Sequence, residues 1–200
     1  MNNKYDNKNL TNNINYPKYY KEILQKSKEM DFNQLSNIDD CLFLSTIVAS
    51  KIDANILELG TASGLATSWI LKSMSKNSKL ISVENNESLI NIAKQYLQED
   101  KRDEFILKDG EDVIDSLQKD SFDLIFADTW PGKYNHLEQT LDLLKVGGIY
   151  LIDDMKRQDN WPNGHEQKVE NLIEYLENRE DFIVCKINYF TGLVVCTKII

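Results

Sequence analysis

"NILELGTASGLATSWI", residues 55–70, decides the fold. The apolar run Ile56-Leu57-Glu58-Leu59 stops at Gly60, and a helix-forming segment starts at Leu65 behind a second glycine, Gly64. A short apolar run broken by glycine and followed by a helix opens a β–α unit. Glycine lets backbone approach a ligand closely, and the helix start offers unpaired N–H groups. The dinucleotide fingerprint needs glycines at 60, 62 and 65, where the chain has Gly60, Ala62 and Leu65, so an NAD dehydrogenase loses its main support.

Four more runs of buried-strand type follow: "KLISVE" (79–84), "EFILKD" (104–109), "FDLIFAD" (122–128) and "GGIYLIDD" (147–154). Between and after them, residues share one helical face: Leu89, Ile92, Ala93, Tyr96 and Leu97, then Leu137, Thr140, Leu141 and Leu144, then Val169, Leu172, Ile173 and Leu176. This alternation predicts a parallel sheet covered on both faces. At the end, "FIVCKIN" (182–188) and "GLVVCTKII" (192–200) are separated by a short turn near Tyr189–Thr191, which permits a hairpin and excludes a crossover. Two helices precede the sheet, near 17–30 with Pro17 in the opening turn and near 38–51 after a Ser36-x-x-Asp39 start signal. The expected fold is α/β: a three-layer, doubly wound, mostly parallel seven-stranded sheet with a C-terminal antiparallel hairpin. It forms one domain, 17–200, behind a disordered polar start, 1–16.

A chain of 200 residues with 42% hydrophobic content suits one full core. A net charge of −9 makes nucleic acid an unlikely partner and a small molecule a better one. Cys41, Cys185 and Cys196 are odd in number and set in apolar runs, the pattern of reduced, buried thiols. Neither a signal sequence, a transit peptide nor a run of about 20 apolar residues appears, so the expectation is a cytoplasmic protein without a membrane partner.

The strand ends carry the chemistry. Glu84 closes the second strand 24 residues after Gly60, where a carboxylate can accept hydrogen bonds from ribose hydroxyls. Without a phosphate-binding loop, the site suits a nucleoside that lacks phosphates. Asp128 closes the fourth strand and Asp153-Asp154 the fifth; as sheet neighbours ~4.8 Å apart, these acids would converge. Unpartnered carboxylates raise one another's pKa, and a hard cation such as Mg²⁺ relieves them, unless Asp153 or Asp154 simply caps its loop. "DNWPNGHEQKVE" (159–170) should overhang this edge, with Trp161 and His165 as substrate wall or base, or else as a packed turn and a first helical turn. Trp130 borders the pocket mouth and His136 is structural. Tyr16, Tyr19 and Tyr20 either cover the site or line a dimer interface.

In order and spacing, "ILELGTASG", "ISVE", "LKDGEDVI", "FDLIFADTWPGKY" and "LLKVGGIYLIDD" resemble the motifs of class I S-adenosylmethionine-dependent methyltransferases. Within that class they are similar to the cation-dependent O-methyltransferases of the catechol and caffeoyl-CoA type. The resemblance implies a Rossmann-like methyltransferase fold and S-adenosyl-L-methionine as cofactor, with Glu58, Gly60, Ala62, Ser63 and Gly64 around its methionine part. It places Glu84 on the ribose, Asn85, Asp109 and Gly110 beside the adenine, and Asp128 under the sulfonium. It further implies Mg²⁺ on Asp128, Asp153 and Asp154, a small hydroxylated acceptor and a homodimer. Two positions depart from the pattern. Asp154 stands where that type has Asn, and Pro131 stands where it has a catalytic lysine, leaving Lys133 as the nearest replacement base or as a solvated turn lysine. Methylation of a hydroxylated tRNA base, and binding of the cofactor without transfer, are the competing readings.

Overall fold

The computed structural model describes residues 14–159, 161–188 and 191–200. Two helices, α1 (Tyr20–Glu29) and α2 (Ile38–Ala49), lead into β1 (Asn55–Leu59), α3 (Leu65–Ser73), β2 (Lys79–Glu84), α4 (Glu87–Leu97), β3 (Asp103–Leu107), α5 (Gly110–Ser116) and β4 (Phe122–Ala127). Then come α6 (Leu137–Asp142), β5 (Leu144–Ile152), α7 (His165–Glu177), β6 (Phe182–Ile187) and β7 (Leu193–Lys198). The strands form one sheet in the order β3-β2-β1-β4-β5-β7-β6, parallel through β5, with β7 antiparallel to both β5 and β6. The direction of winding reverses between β1 and β4, the crevice where sheets of this kind bind ligands.

Two apolar layers fix the helices to the sheet. On one face Ile56, Leu80, Leu124 and Leu151 meet α1, α2, α3 and α4 around a buried Trp69. On the other, Leu57, Ile125, Tyr150 and Val194 meet α5, α6 and α7. Alternate residues of each strand therefore point to opposite cores, which is why these strands read as continuous apolar runs. Arg102 ties the layers' rim by donating from its guanidinium to the carbonyls of Leu71 and Met74, satisfying the C-terminal end of α3.

Several local expectations change. Pro17 lies in a turn and α1 starts at Tyr20, while α2 is capped by Asn37, whose side chain accepts from the Asp39 N–H, rather than by Ser36. β5 starts at Leu144, not 147, through a register shift opposite Phe122 that accommodates Gly147 and Gly148. α5 follows the third strand unannounced, because seven residues are too few to show a helical period. Cys185 is exposed on the edge strand β6, although Cys41 and Cys196 are buried. The start expected to be disordered, 1–16, lies mostly outside the described residues, but Ile14 and Tyr16 pack on the core. Tyr16 and Tyr20 stack near Trp69, at 6.0 and 5.9 Å between ring centres, and Tyr19 lies 5.8 Å from Tyr96. These tyrosines thus anchor α1 to α3 and α4. The tip of the terminal hairpin, Tyr189 and Phe190, is outside the described residues.

One carboxyl group lies wholly inside. Glu58 on β1 is 0% exposed, Thr67 donates to its Oε2 at 2.7 Å, and its Oε1 has no hydrogen-bond partner among the described residues. Burial pushes its pKa from 4.5 up to about 7, with the Thr67 hydrogen bond opposing. The folded chain therefore binds this proton more tightly than the unfolded one, and stability falls as pH rises from about 4.5 to about 7. At about 1.4 kcal/mol per pKa unit the cost reaches roughly 3 kcal/mol. Glu58→Gln should remove it: in thermal melts between about pH 5 and pH 8, the variant's advantage should grow with pH and level off once Glu58 would be ionised.

Candidate active site

Register brings the strand ends together. Leu59 of β1 sits opposite both Val83 of β2 and Ala127 of β4, and Ala127 opposite Ile152 of β5. The next residues, Gly60, Glu84, Asp128 and Asp153, consequently share one edge, clamped by Asp128 N–H to Leu59 O (2.9 Å) and Asp153 N–H to Ala127 O (3.1 Å). A cavity of about 690 Å³ opens on this edge, lined by Gly60, Ala62, Glu84, Asn85, Asp128, Lys133, Asp153 and Asp154 among others. The α1–α2 connection from Phe32 to Asn37 forms its other wall.

At the nucleoside end, Glu84 is oriented by three backbone donors: Ala62 N–H to one oxygen (2.8 Å), Asn85 N–H (3.0 Å) and Asn86 N–H (2.9 Å) to the other. A carboxylate has about four acceptor directions, so one remains for a hydroxyl. Asn85 donates to Asp109 Oδ1 at 2.8 Å on the exposed flank. Ser63, Gly64, Gly110 and Glu58 do not line the cavity. Ser63 is buried with its hydroxyl 2.7 Å from that of Ser27, linking the glycine loop to α1. A Cβ on Gly64 would meet the Ala93 side chain at 2.8 Å and one on Gly110 the Pro131 ring at 2.8 Å, so these glycines serve close packing. Gly60 (φ +99°) is needed for the same reason, since a Cβ there would lie 2.8 Å from Asp128 O.

At the other end is the acidic cluster. The turn after β4 folds Lys133 inward, 4% exposed, with Nζ donating to Asp153 O at 2.7 Å and lying 3.9 Å from Asp128 Oδ1. Among the described residues no other Lys or Arg is buried. Burial raises the Asp128 carboxyl well above the usual range, the charge of Asp153 adds to this, and the Lys133 ammonium works against it.

The donor set does not fit Mg²⁺. Asp153 Oδ1 accepts from Asp154 N–H (2.7 Å) and sits 2.6 Å from the Thr191 hydroxyl, which also lies 2.7 Å from Asp40 Oδ2. Asp154, at φ +57°, turns its Oδ1 to Gln158 Nε2 at 2.6 Å. Among the described residues, no three His, Cys, Asp or Glu side chains are grouped as a metal site. The strand-end acids do share one edge of the cavity, but one oxygen each of Asp153 and Asp154 is engaged by hydrogen-bond donors and an ammonium stands beside Asp128. Asp40 and Thr191 were not foreseen. Asp40 reads in sequence as a helix-start acid, and Thr191 as part of a turn.

Aromatic side chains line the mouth. The His165 ring, at the first position of α7, packs edge-on against Trp161 (4.5 Å) and Tyr134 (5.4 Å), with Trp130 6.0 Å away. His165 Nε2 is 3.4 Å from the Tyr134 hydroxyl, its Nδ1 is buried without a partner among the described residues, and the residue is 9% exposed. Burial lowers its pKa from 6.5, helped by the charges of Lys133 and Lys168, so the ring is neutral near pH 7. Trp161 and His165 both line the cavity, and His165 lies in the first turn of α7 as expected. His136 starts α6 beside Glu111 and Asp115, away from the cavity.

A family model described as O-methyltransferase matches residues 12–199. "Tapetum-specific methyltransferase 1" of Arabidopsis thaliana is 24% identical over 209 residues, covering 92% of this chain and 89% of that protein. The O-methyltransferase TomG from Streptomyces achromogenes, solved in complex with SAM, superposes with a TM-score of 0.80 at 20% identity, covering 91% of this chain and 90% of that one. An O-methyltransferase from Bacillus cereus in complex with SAH gives 0.78 at 21% identity, covering 92% and 93%. These two likenesses show the fold.

Gly60→Ala should lower stability by roughly 1–3 kcal/mol in urea unfolding. Gly147→Ala, at φ +81° with nothing within 4 Å of the added Cβ, isolates the conformational cost. An equal loss in both variants would show that the Asp128 contact is not a constraint.

Proposed function

We propose that this chain, which belongs to the O-methyltransferase family, moves a methyl group from S-adenosylmethionine to a hydroxyl on a small, planar acceptor. The observation that carries the reading is the shared edge of Gly60, Glu84 and Asp128 on one cavity. Glu84 keeps one acceptor direction for a ribose hydroxyl, the Gly60–Ala62 backbone leaves room for the methionine part, and Asn85 with Asp109 flanks the adenine. Asp128 needs positive charge beside it, and a sulfonium supplies that.

S-adenosylmethionine brings a methyl carbon already activated, so the C–S bond breaks with its electron pair left on sulfur as the acceptor oxygen bonds to carbon. The chain's work is alignment, exclusion of water and handling of one proton. Trp130, Tyr134, Trp161 and His165 provide flat apolar surface beside Asp128, which favours an aromatic acceptor. His165, neutral and buried among them, takes the acceptor's proton. Lys133 steadies the oxygen as it becomes negative rather than removing its proton, because its amino group is held as a donor by the Asp153 carbonyl. The divalent cation implied by the resemblance has no part in this scheme, since Lys133 already stands inside the acidic cluster.

Calorimetric titration with S-adenosylhomocysteine tests the reading. The chain should bind it, and Glu84→Gln should weaken binding about tenfold, or about 1.4 kcal/mol; a native chain that does not bind would end the proposal. For the proton, His165→Gln should lower kcat roughly 100-fold or more while leaving homocysteine-product affinity unchanged. With His165 shifted downward, turnover in the native chain should stay flat above pH 6.5 and be lost only below it as the ring protonates.

A further inference from the structure

We infer that the Lys133 ammonium occupies the position of a divalent cation in the acidic cluster, so that methyl transfer here needs no metal and no chelating pair of hydroxyls on the acceptor. The inference rests on the proposed function for the reaction, but its structural part stands on the lysine and its neighbours.

The chain builds the substitution over several residues. Pro131 removes the side chain that the resembled enzymes use as a base, and Gly132 takes φ +88°, with Leu59 Cδ1 only 2.6 Å from where a Cβ would be. Only glycine can press that close to the core with this backbone. The Tyr150 hydroxyl, buried in β5, donates to Gly132 O and pins the turn from below. Lys133 N–H and Tyr134 N–H both donate to Trp130 O, at 3.0 and 2.9 Å, closing a tight turn that sends the lysine stem inward. A side chain that turn geometry would ordinarily leave in water is thereby placed 4% exposed between Asp128 and the Asp153 carbonyl.

Among the described residues, hydrogen bonds engage two of the six carboxylate oxygens of Asp128, Asp153 and Asp154. Mg²⁺ takes six oxygens in near-octahedral order. Asp153 gives its carbonyl to Lys133 and one carboxylate oxygen to Asp154 N–H and Thr191, while Asp154 is held by Gln158. A divalent ion entering beside Asp128 would face an ammonium at close range, and like charges repel there. Lysine carries three donors. One goes to Asp153 O, one faces Asp128, and the third is left for the cavity that Lys133 lines. A single donor fixes one oxygen, whereas a metal chelates two. Acceptors with one hydroxyl should therefore serve as well as vicinal diols.

The test is a Mn²⁺ titration of the full chain, followed by the electron paramagnetic resonance of the free ion, with calorimetry of S-adenosylhomocysteine run with and without EDTA. The native chain is expected to take up no Mn²⁺ at millimolar concentration and to bind the homocysteine product equally well in EDTA. Lys133→Ala, which leaves Asp128 without its neighbouring ammonium, should gain Mn²⁺ binding at least about tenfold tighter, and Lys133→Ala/Asp128→Asn should lose it again. Stoichiometric Mn²⁺ uptake by the native chain, released in Asp128→Asn, would overturn the inference. So would a Lys133→Ala protein with native circular dichroism that gains no uptake; should that variant not fold, the native titration still decides. Failure to bind S-adenosylhomocysteine would sink the proposed function alone, since the Mn²⁺ results judge Lys133 separately.

Discussion

The structure depends on one close approach: the Cα of Gly60 against the carbonyl of Asp128 at the end of β1 and β4. A Cβ at Gly60 would lie 2.8 Å from that oxygen, so the two strands can end side by side only because residue 60 has none. From that contact the parallel register follows outward, to Val83 on one side and Ile152 on the other. Each residue after a strand end is then delivered to the same edge. The functional groups are thus placed by backbone hydrogen bonds between strands, which are stiff, rather than by the loops that carry them.

Electrostatics give that edge its character. Asp128, Asp153 and Asp154 would be costly neighbours in isolation. Their cost is met in three ways: an inward lysine, hydrogen bonds from Thr191 and Gln158, and backbone N–H groups. Asp40, on α2, reaches the same Thr191 hydroxyl from the opposite side. The N-terminal helices therefore belong to the site. α2 touches it through Asp40, and α1 holds the glycine loop through Ser27 and Ser63.

The roles of the glycine-loop residues divide accordingly. Gly60 and Ala62 face the cavity, whereas Ser63 and Gly64 hold the loop against α1 and α4. Glu58 is further back, buried under the loop with Thr67, where its charge acts on stability. A motif that is contiguous in sequence thus combines cavity-facing backbone with packing behind it, because successive residues of a strand and turn point in different directions.

By itself the sequence determined the sheet, since uninterrupted apolar runs alternating with helical faces leave few arrangements other than a covered parallel sheet. It also determined which carboxylates end strands, because Glu84, Asp128 and Asp153 interrupt apolar runs where a buried acid would be costly. The short helices α5 and α6 and the early start of β5 were less legible, since six or seven residues carry little periodicity and a register shift is set by the neighbouring strand. Only the tertiary structure decided what surrounds the acids. Whether Lys133 enters the core or stays in water depends on how Gly132 fits under Leu59 and on Tyr150 from a strand 18 residues away. Which oxygens of Asp153 and Asp154 are engaged depends on Thr191 and Gln158, which reach them through the hairpin and the loop after β5. Such contacts join residues distant in the chain, and local pattern holds no record of them.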